Sequence, residues 1–556
     1  MIFWCAGGGR KRTGSPMTSQ SMAPLELHAD VVIVGGGLAG TWAALAAARQ
    51  GGVVVLAEKG YCGTSGVTAT AGVGHWWVPP DRQARAEALR ERQARAFGLG
   101  EESWMSRILS QTWELLPTIG GAFRFPTDDD GVTQYRTVRG PEYLRAMRRL
   151  VKRAGVRILD QSPVLELLVH VDGSVAGVRG VQRQAGVDYQ VNAGAVVLST
   201  GGCGFASRLL GSQNNTGDGS LMAVEAGAEL SGMEFSSYYT LSPAWSTMTR
   251  SMSYLFGTYF DADGNEIISD GPLRPEILAR AMLAGPVYTR LDRAPERIQR
   301  QMPRVQPNFM LPFDRKGINP YTDLFEVTLR CEGTIRGTGG LRIVDDDCST
   351  TVPGLFAAGD AATRELVAGA TSGGGAQNSA WALSSGTWAG RAAVAYARRA
   401  VRGTGTPAVA AGGAGLRPRR EARPVDTRAV VATVQAEMHP YDKNMFRSAD
   451  RLRASLSELD AAWDEVSGHL RATGVDAVRA REAAALVASA RWSYTAALAR
   501  EESRGMHQRV DTPATDDSFT HRILVGGLDR IWISPERGSG STDLADLADA
   551  TEGIAS

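Results

Sequence analysis

The spacing of apolar residues changes several times along the chain. Residues 31–34, 53–57 and 195–198 are unbroken apolar runs, which predicts strands buried on both faces. Between the first two, an alanine-rich stretch predicts a helix from Leu38 to about Gln50. Residues 81–96 predict a charged helix, and 101–120 one with Trp104, Ile108 and Leu115 on a single face. A further helix, 141–153, starts at Pro141. From Arg157 to Val197 the alternation has the period of strands, with a turn at Asp172-Gly173, and predicts a β-meander. Another buried strand is expected at 354–358, then a helix from about Ala376 to Arg399. Residues 402–424, rich in Gly, Pro and Ala, read as a linker. Beyond it the pattern is helical, with Leu452, Leu456, Leu459 and Trp463 on one face and Val487, Ala490, Tyr494 and Leu498 on another. The first 28 residues show no periodicity and are expected to be disordered, and 531–556 reads as an irregular tail.

A length of 556 residues exceeds one simple core and implies two or three domains. Lys+Arg 60 against Asp+Glu 59 leaves almost no net charge, so nothing favours a nucleic-acid partner. No apolar run is long enough to span a membrane. The basic N-terminal residues precede no apolar signal core, so no export signal is expected. The five cysteines form no CxxC pair. An iron–sulfur or zinc cluster held by this chain alone is therefore not expected, and a cytoplasmic location is.

The chemistry concentrates first in residues 31–58. The strand Val31–Val34 runs into Gly35, Gly36, Gly37 and then Gly40. Gly35 permits the tight turn, Gly37 a close approach of a pyrophosphate, and Gly40 tight packing of the next helix on the strand. That helix aims its positive end at the phosphate. The second strand ends at Glu58, placed to accept both hydroxyls of an adenosine ribose. Strand, glycines, helix, strand and acid in this order define a dinucleotide site. A small-residue loop, 60–74, follows where a flat ring and a diphosphate could meet backbone amides. A second glycine-rich turn, 369–376, opens the later helix.

Four stretches together resemble the flavoprotein family of fumarate reductase, succinate dehydrogenase, L-aspartate oxidase and adenylylsulfate reductase. They are 31–58, the Thr216-Gly-Asp-Gly-Ser stretch running to Phe235, Gly354-Leu-Phe-Ala-Ala-Gly-Asp360, and Arg500-Glu-Glu-Ser-Arg-Gly-Met-His507. The resemblance implies an α/β fold with a Rossmann-like FAD-binding domain, an inserted α+β capping domain and a C-terminal helical domain. On this chain these fall at 29–233 with 339–401, at 234–338, and at 425–530. It places FAD contacts on Gly35, Gly37, Gly40, Glu58, Lys59, Thr64, Ser65, the turn from Ala69 to Gly72, Gly201, Asp218, Asp360 and Ser379. Covalent-flavin members carry a histidine directly after the residue matching Ser65; here it is Gly66, which implies non-covalent FAD.

The family's proton-donating arginine is matched by Arg274, at the start of an arginine-containing helix. Its substrate anchors differ. Tyr239 stands where a carboxylate-gripping histidine is expected, Arg336 replaces a second histidine, and the turn 369–378 lacks the family's arginine. These changes weigh against succinate, fumarate and aspartate, while tyrosines near a flavin suit a less charged, cyclic substrate. Trp76-Trp-Val-Pro also resembles the flavin-side loop of ketosteroid dehydrogenases. The leading expectation is an FAD-dependent oxidoreductase acting on a C–C or C–N bond of a small molecule, with Arg274 as acid and Tyr239 and Arg336 as binding groups. The alternatives are a peroxide-producing oxidase, a ring-substrate dehydrogenase, an electron-transfer subunit with an iron–sulfur partner, and a flavin-binding protein without catalysis. A second glycine fingerprint for a nicotinamide cofactor is absent from the sequence, so a disulfide reductase is not expected.

Overall fold

The computed structural model describes residues 24–127, 130–248, 252–269, 274–400 and 408–536. At its centre the apolar strand Leu25–Val34 lies between two parallel neighbours, Val54–Ala57 and Val187–Leu198. Val31, Val32 and Ile33 are fully buried, as their unbroken apolar run requires. Arg157–Leu159 pairs parallel with Val54–Ala57. It therefore extends the nucleotide side of the sheet and does not open the expected meander. The meander proper is Val164–Val169, Val175–Gln182 and Val187–Leu198, all antiparallel. The last of these strands serves both halves, because its end also pairs parallel with Leu355–Ala357, with Leu355 opposite Val196.

Two helices cover one face of this sheet, Leu38–Arg49 and Gly374–Arg399. They cross at small residues. A Cβ on Gly386 would stand 2.3 Å from the Ala39 carbonyl oxygen, and one on Gly390 2.2 Å from that of Ala43. This contact brings the start of the long helix down beside the Gly35 turn.

The stretch 234–338 carries its own antiparallel sheet, in the order Tyr239–Pro243, Phe325–Cys331, Val287–Arg290, Thr258–Phe260. Phe309, Phe313 and Phe325 form its aromatic core. Three helices, Thr427–Met438, Ala449–His469 and Asp476–Ala499, make the C-terminal layer.

Three boundaries depart from expectation. Leu25–His28 is strand, paired with Tyr189–Asn192, because a free edge of the long strand Val187–Leu198 is there to receive it. Val409–Ala410, inside the expected linker, pairs with Leu168–Val169 at the sheet edge. Trp532–Glu536, expected as irregular tail, forms a hairpin with Arg522–Gly526, which also pairs with Leu230–Ser231. The rest of the expected disordered N-terminus, residues 402–407 of the linker, and the tail beyond 536 lie outside the described residues.

Candidate active site

A cavity of about 1360 Å³, counting its open mouth, runs from the Gly35 turn to the start of the helix Gly374–Arg399. Gly35 adopts φ +102°, and a Cβ there would meet the Ser199 carbonyl oxygen at 2.4 Å, so only glycine makes this turn. Gly40 stays off the cavity wall and acts beneath it: its missing Cβ would lie 1.8 Å from the Gly35 carbonyl oxygen. At Gly37, Gly66 and Gly375, all on the wall, an added Cβ would meet nothing within 4 Å. These are cradle positions where a ligand can touch backbone.

Glu58 closes the turn. Its carboxylate accepts from the Gly36 amide at 2.5 Å, the Gly60 amide at 2.6 Å and the Ser65 hydroxyl at 2.9 Å. Lys59 is a knot between distant segments. Its Nζ contacts Asp218 at 2.7 Å, Glu482 at 2.8 Å and the Thr216 hydroxyl at 2.9 Å. Burial opposes its charge, but those two carboxylates outweigh it and raise its pKa. Ser65, Gly72, Gly201, Asp218, Asp360 and Ser379 also line the cavity. Thr64 and Ala69 do not: Thr64 is exposed and bonds the Tyr61 carbonyl, and Ala69 is buried behind the wall.

From the stretch 234–338, Ile335 and Arg336 reach the wall. The loop that carries them is held by Arg364, a fully buried guanidinium that sequence reading missed. It pairs with Asp360 and donates to the carbonyls of Thr334, at 2.6 Å, Ile335, at 3.1 Å, and Gly337. Arg336 donates from Nη2 to the Tyr238 hydroxyl at 3.3 Å, with its guanidinium 5.0 Å from that ring's centroid. Its Nε has no acceptor in the protein. Burial works against the Arg336 charge, and Tyr238, Glu332 and Asp360 together outweigh it, so its pKa is raised.

Two expected catalytic residues lie elsewhere. Tyr239 is buried and turned away, its hydroxyl donating to the carbonyls of Met438 and His439 at 3.1 and 3.0 Å. It ties the sheet of the stretch 234–338 to the helical layer, while its neighbour Tyr238 stands with Arg336. Arg274 is exposed at the start of the helix Pro275–Ala284 and does not line the cavity. The stretch 500–507 is a buried ionic lattice: Arg500 meets Glu234 at 2.8 Å and Glu502 at 3.0 Å, and Arg504 meets Glu502 at 2.6 Å. Trp77 is a packing residue, stacked on Trp113 at 4.2 Å. Asn214, Asn215 and Asn378 also line the cavity and were missed, although Asn378 directly precedes Ser379.

Residues 30–108 and 127–377 match the FAD binding domain family, and 434–530 match the fumarate reductase flavoprotein C-terminal family. The chain belongs to the FAD-dependent oxidoreductases of the fumarate reductase, succinate dehydrogenase and L-aspartate oxidase flavoprotein family, and FAD is its cofactor. Among its relatives, an L-aspartate oxidase of Streptomyces coelicolor is 27% identical, over 92% of both chains. A fumarate reductase flavoprotein subunit of Mycobacterium tuberculosis is 26% identical, over 89% of this chain and 94% of that one. The fold is shared with E. coli quinol fumarate reductase FrdA, at TM-score 0.77 and 21% identity over 93% of this chain and 98% of that one. It is shared also with adenylylsulfate reductase of Archaeoglobus fulgidus, at TM-score 0.73 and 17% identity over 92% and 96%.

Proposed function

We propose that the protein is a dehydrogenase that moves hydride between non-covalently held FAD and a C–C or C–N bond of a small organic substrate. When bound, FAD supplies hydride donation and acceptance. The cavity carries this reading, with Glu58 closing its dinucleotide turn and Arg336 on its capping wall. Glu58 and Gly37 would hold ribose and pyrophosphate, and the start of the helix Gly374–Arg399 would stabilise negative charge on the reduced ring. Gly66 supplies no side chain for a covalent link.

The proton partner on the capping side is the pair Tyr238 and Arg336. Arg336 donates to the phenol oxygen, which leaves the phenol proton for another acceptor. Neither Tyr238 nor Arg274, the residue the family resemblance points to, lines the wall itself; Tyr238 is preferred because it meets Arg336, which does. Acid precipitation of the purified yellow protein should leave FAD in the supernatant, and anaerobic candidate substrates should bleach the colour. Tyr238→Phe should slow that bleaching by about 10² or more, the usual share of general acid–base catalysis. A larger loss in Arg274→Ala would return the proton to Arg274. A colourless chain that takes up no FAD would sink the whole reading.

The similarity to proteins named fumarate reductase flavoprotein subunit supports a second reading, in which electrons leave to a partner subunit. Peroxide formed in stoichiometry with turnover would exclude it and identify an oxidase.

A further inference from the structure

Two acids from distant segments, Glu234 and Glu365, are fully buried near one another behind the loop 334–338. Glu234 is balanced, its Oε1 meeting Arg500 at 2.8 Å. Glu365 is not. Its Oε2 accepts from the hydroxyls of Ser231 and, at 3.4 Å, Thr363, and it makes no ion pair with a described residue. The surrounding arginines are engaged elsewhere: Arg500 also with Glu502, Arg522 with Glu101 and Glu536, Arg342 with Glu229 and Glu536, and Arg364 with Asp360. Arg447 donates to the Glu234 backbone carbonyl and to His507. Oε1 of Glu365 and Oε2 of Glu234 have no hydrogen-bond partner among the described residues. A buried carboxyl with hydroxyl partners and no cation is more stable neutral than charged. Burial, and then the charge of Glu234, push the Glu365 pKa up to about 8.

Each acid sits beside a strut of the loop that brings Ile335 and Arg336 to the cavity. Phe235, next to Glu234, accepts the Thr338 amide at 3.0 Å, and Arg364, next to Glu365, donates its own amide to the Thr338 carbonyl at 2.7 Å. The Arg364 side chain fastens the carbonyls of Thr334, Ile335 and Gly337. Thr338 is thus suspended between the two acid-bearing segments. We propose that Glu365 and Glu234 hold one proton between them and form a pH switch on the FAD cavity. With the proton in place the two segments stay together and the loop is pinned. Its release to solvent leaves two like charges in one buried place, which drives the segments apart and frees the loop from the wall. The folded chain keeps a proton that the unfolded chain has already lost, so stability also declines as pH rises toward about 8. The inference rests on FAD as the cofactor and on no step of the proposed dehydrogenase chemistry.

Two measurements on the full chain test it between about pH 6.5 and about pH 9. Infrared difference spectra of the FAD-loaded protein should show the carbonyl stretch of a protonated carboxyl disappearing in a single-proton step as pH rises. FAD affinity, titrated into the apoprotein, should fall by about tenfold over the same range, because the competent fraction falls by that factor. Glu365→Gln keeps the shape and removes the titration, so both changes should vanish while tight binding persists at the higher pH. No carboxyl band in the wild type, or a band that survives in Glu365→Gln, overturns the shared proton. Equal FAD affinity at the two pH values, or the same fall in Glu365→Gln, overturns the switch. Should Glu365→Gln fail to fold, Ser231→Ala decides. It removes a hydroxyl that favours the ionised form, so both transitions should move to higher pH; an unmoved or lower midpoint overturns the inference. A wild-type chain that never takes up FAD overturns the flavin reading and the switch together, whereas every other failure leaves that reading standing.

Discussion

Glu58 serves the cavity twice, since one carboxylate receives two backbone amides and faces the wall. Glu58→Gln turns an acceptor-only group into one that carries its own donors, opposing the Gly36 and Gly60 amides. The loss of charge-assisted bonds is on the order of 1–3 kcal/mol each. FAD retention, measured by fluorescence of released flavin, should fall by at least tenfold. His75 gives a sharper test. It is fully buried, neither ring nitrogen has a partner, and its ring meets Tyr143 edge-on at 5.5 Å. Burial lowers its pKa to about 3. Between pH 6.5 and 3 the unfolded chain therefore binds a proton that the folded one refuses, and stability declines as pH falls through that window. Acidification from pH 6.5 to 5 should cost the wild type about 2 kcal/mol through this group. His75→Phe should lack that share, which chemical unfolding at the two pH values will measure. Glu58 was legible because its role depends on neighbours a few residues away. The direction in which Tyr239 points was not legible: its hydroxyl bonds the carbonyls of Met438 and His439. Tyr238, just before the strand Tyr239–Pro243 begins, meets Arg336, while Tyr239 on the strand turns to the helical layer. Arg364 was illegible because its carbonyl partners lie about thirty positions upstream, joined only by the tertiary fold.

The elements were easier to read than their edges. The helices Leu38–Arg49 and Gly374–Arg399 came from alanine-rich composition and glycine turns, with ends within two residues of expectation. What composition did not show is that they pack on each other. The contact is made by Gly386 and Gly390 against the Ala39 and Ala43 backbone. Gly390→Leu should force the helices apart and cost about 1–3 kcal/mol or more. It should also shift the start of the long helix, so melting temperature and FAD affinity fall together. A variant that melts lower yet binds FAD normally would show that the crossing does not set the site. The strand Val409–Ala410 escaped notice because two residues at an edge are too few for periodicity to register, and Trp532–Glu536 because its Pro535 and partly exposed positions do not read as a buried strand.

Across the whole molecule, polar side chains bridge the three layers. Tyr239 joins the sheet of the stretch 234–338 to the helical layer, Arg500 joins Glu234 to the C-terminal stretch, and Lys59 joins the nucleotide turn to Asp218 and Glu482. Glu482 belongs to the helix Asp476–Ala499, more than four hundred positions from Lys59 along the chain. Glu482→Gln, made outside the cavity wall, should weaken FAD binding severalfold, which isothermal titration of the apoprotein will measure. Unchanged affinity would show that the nucleotide turn needs no support from the C-terminal third. The ammonium group of Lys59 thus works as a clasp whose two halves are synthesised far apart in time. A nascent chain halted before Glu482 can have folded its glycine turn and yet lack the clasp's second half, so the cofactor should be gripped firmly only once translation is nearly finished.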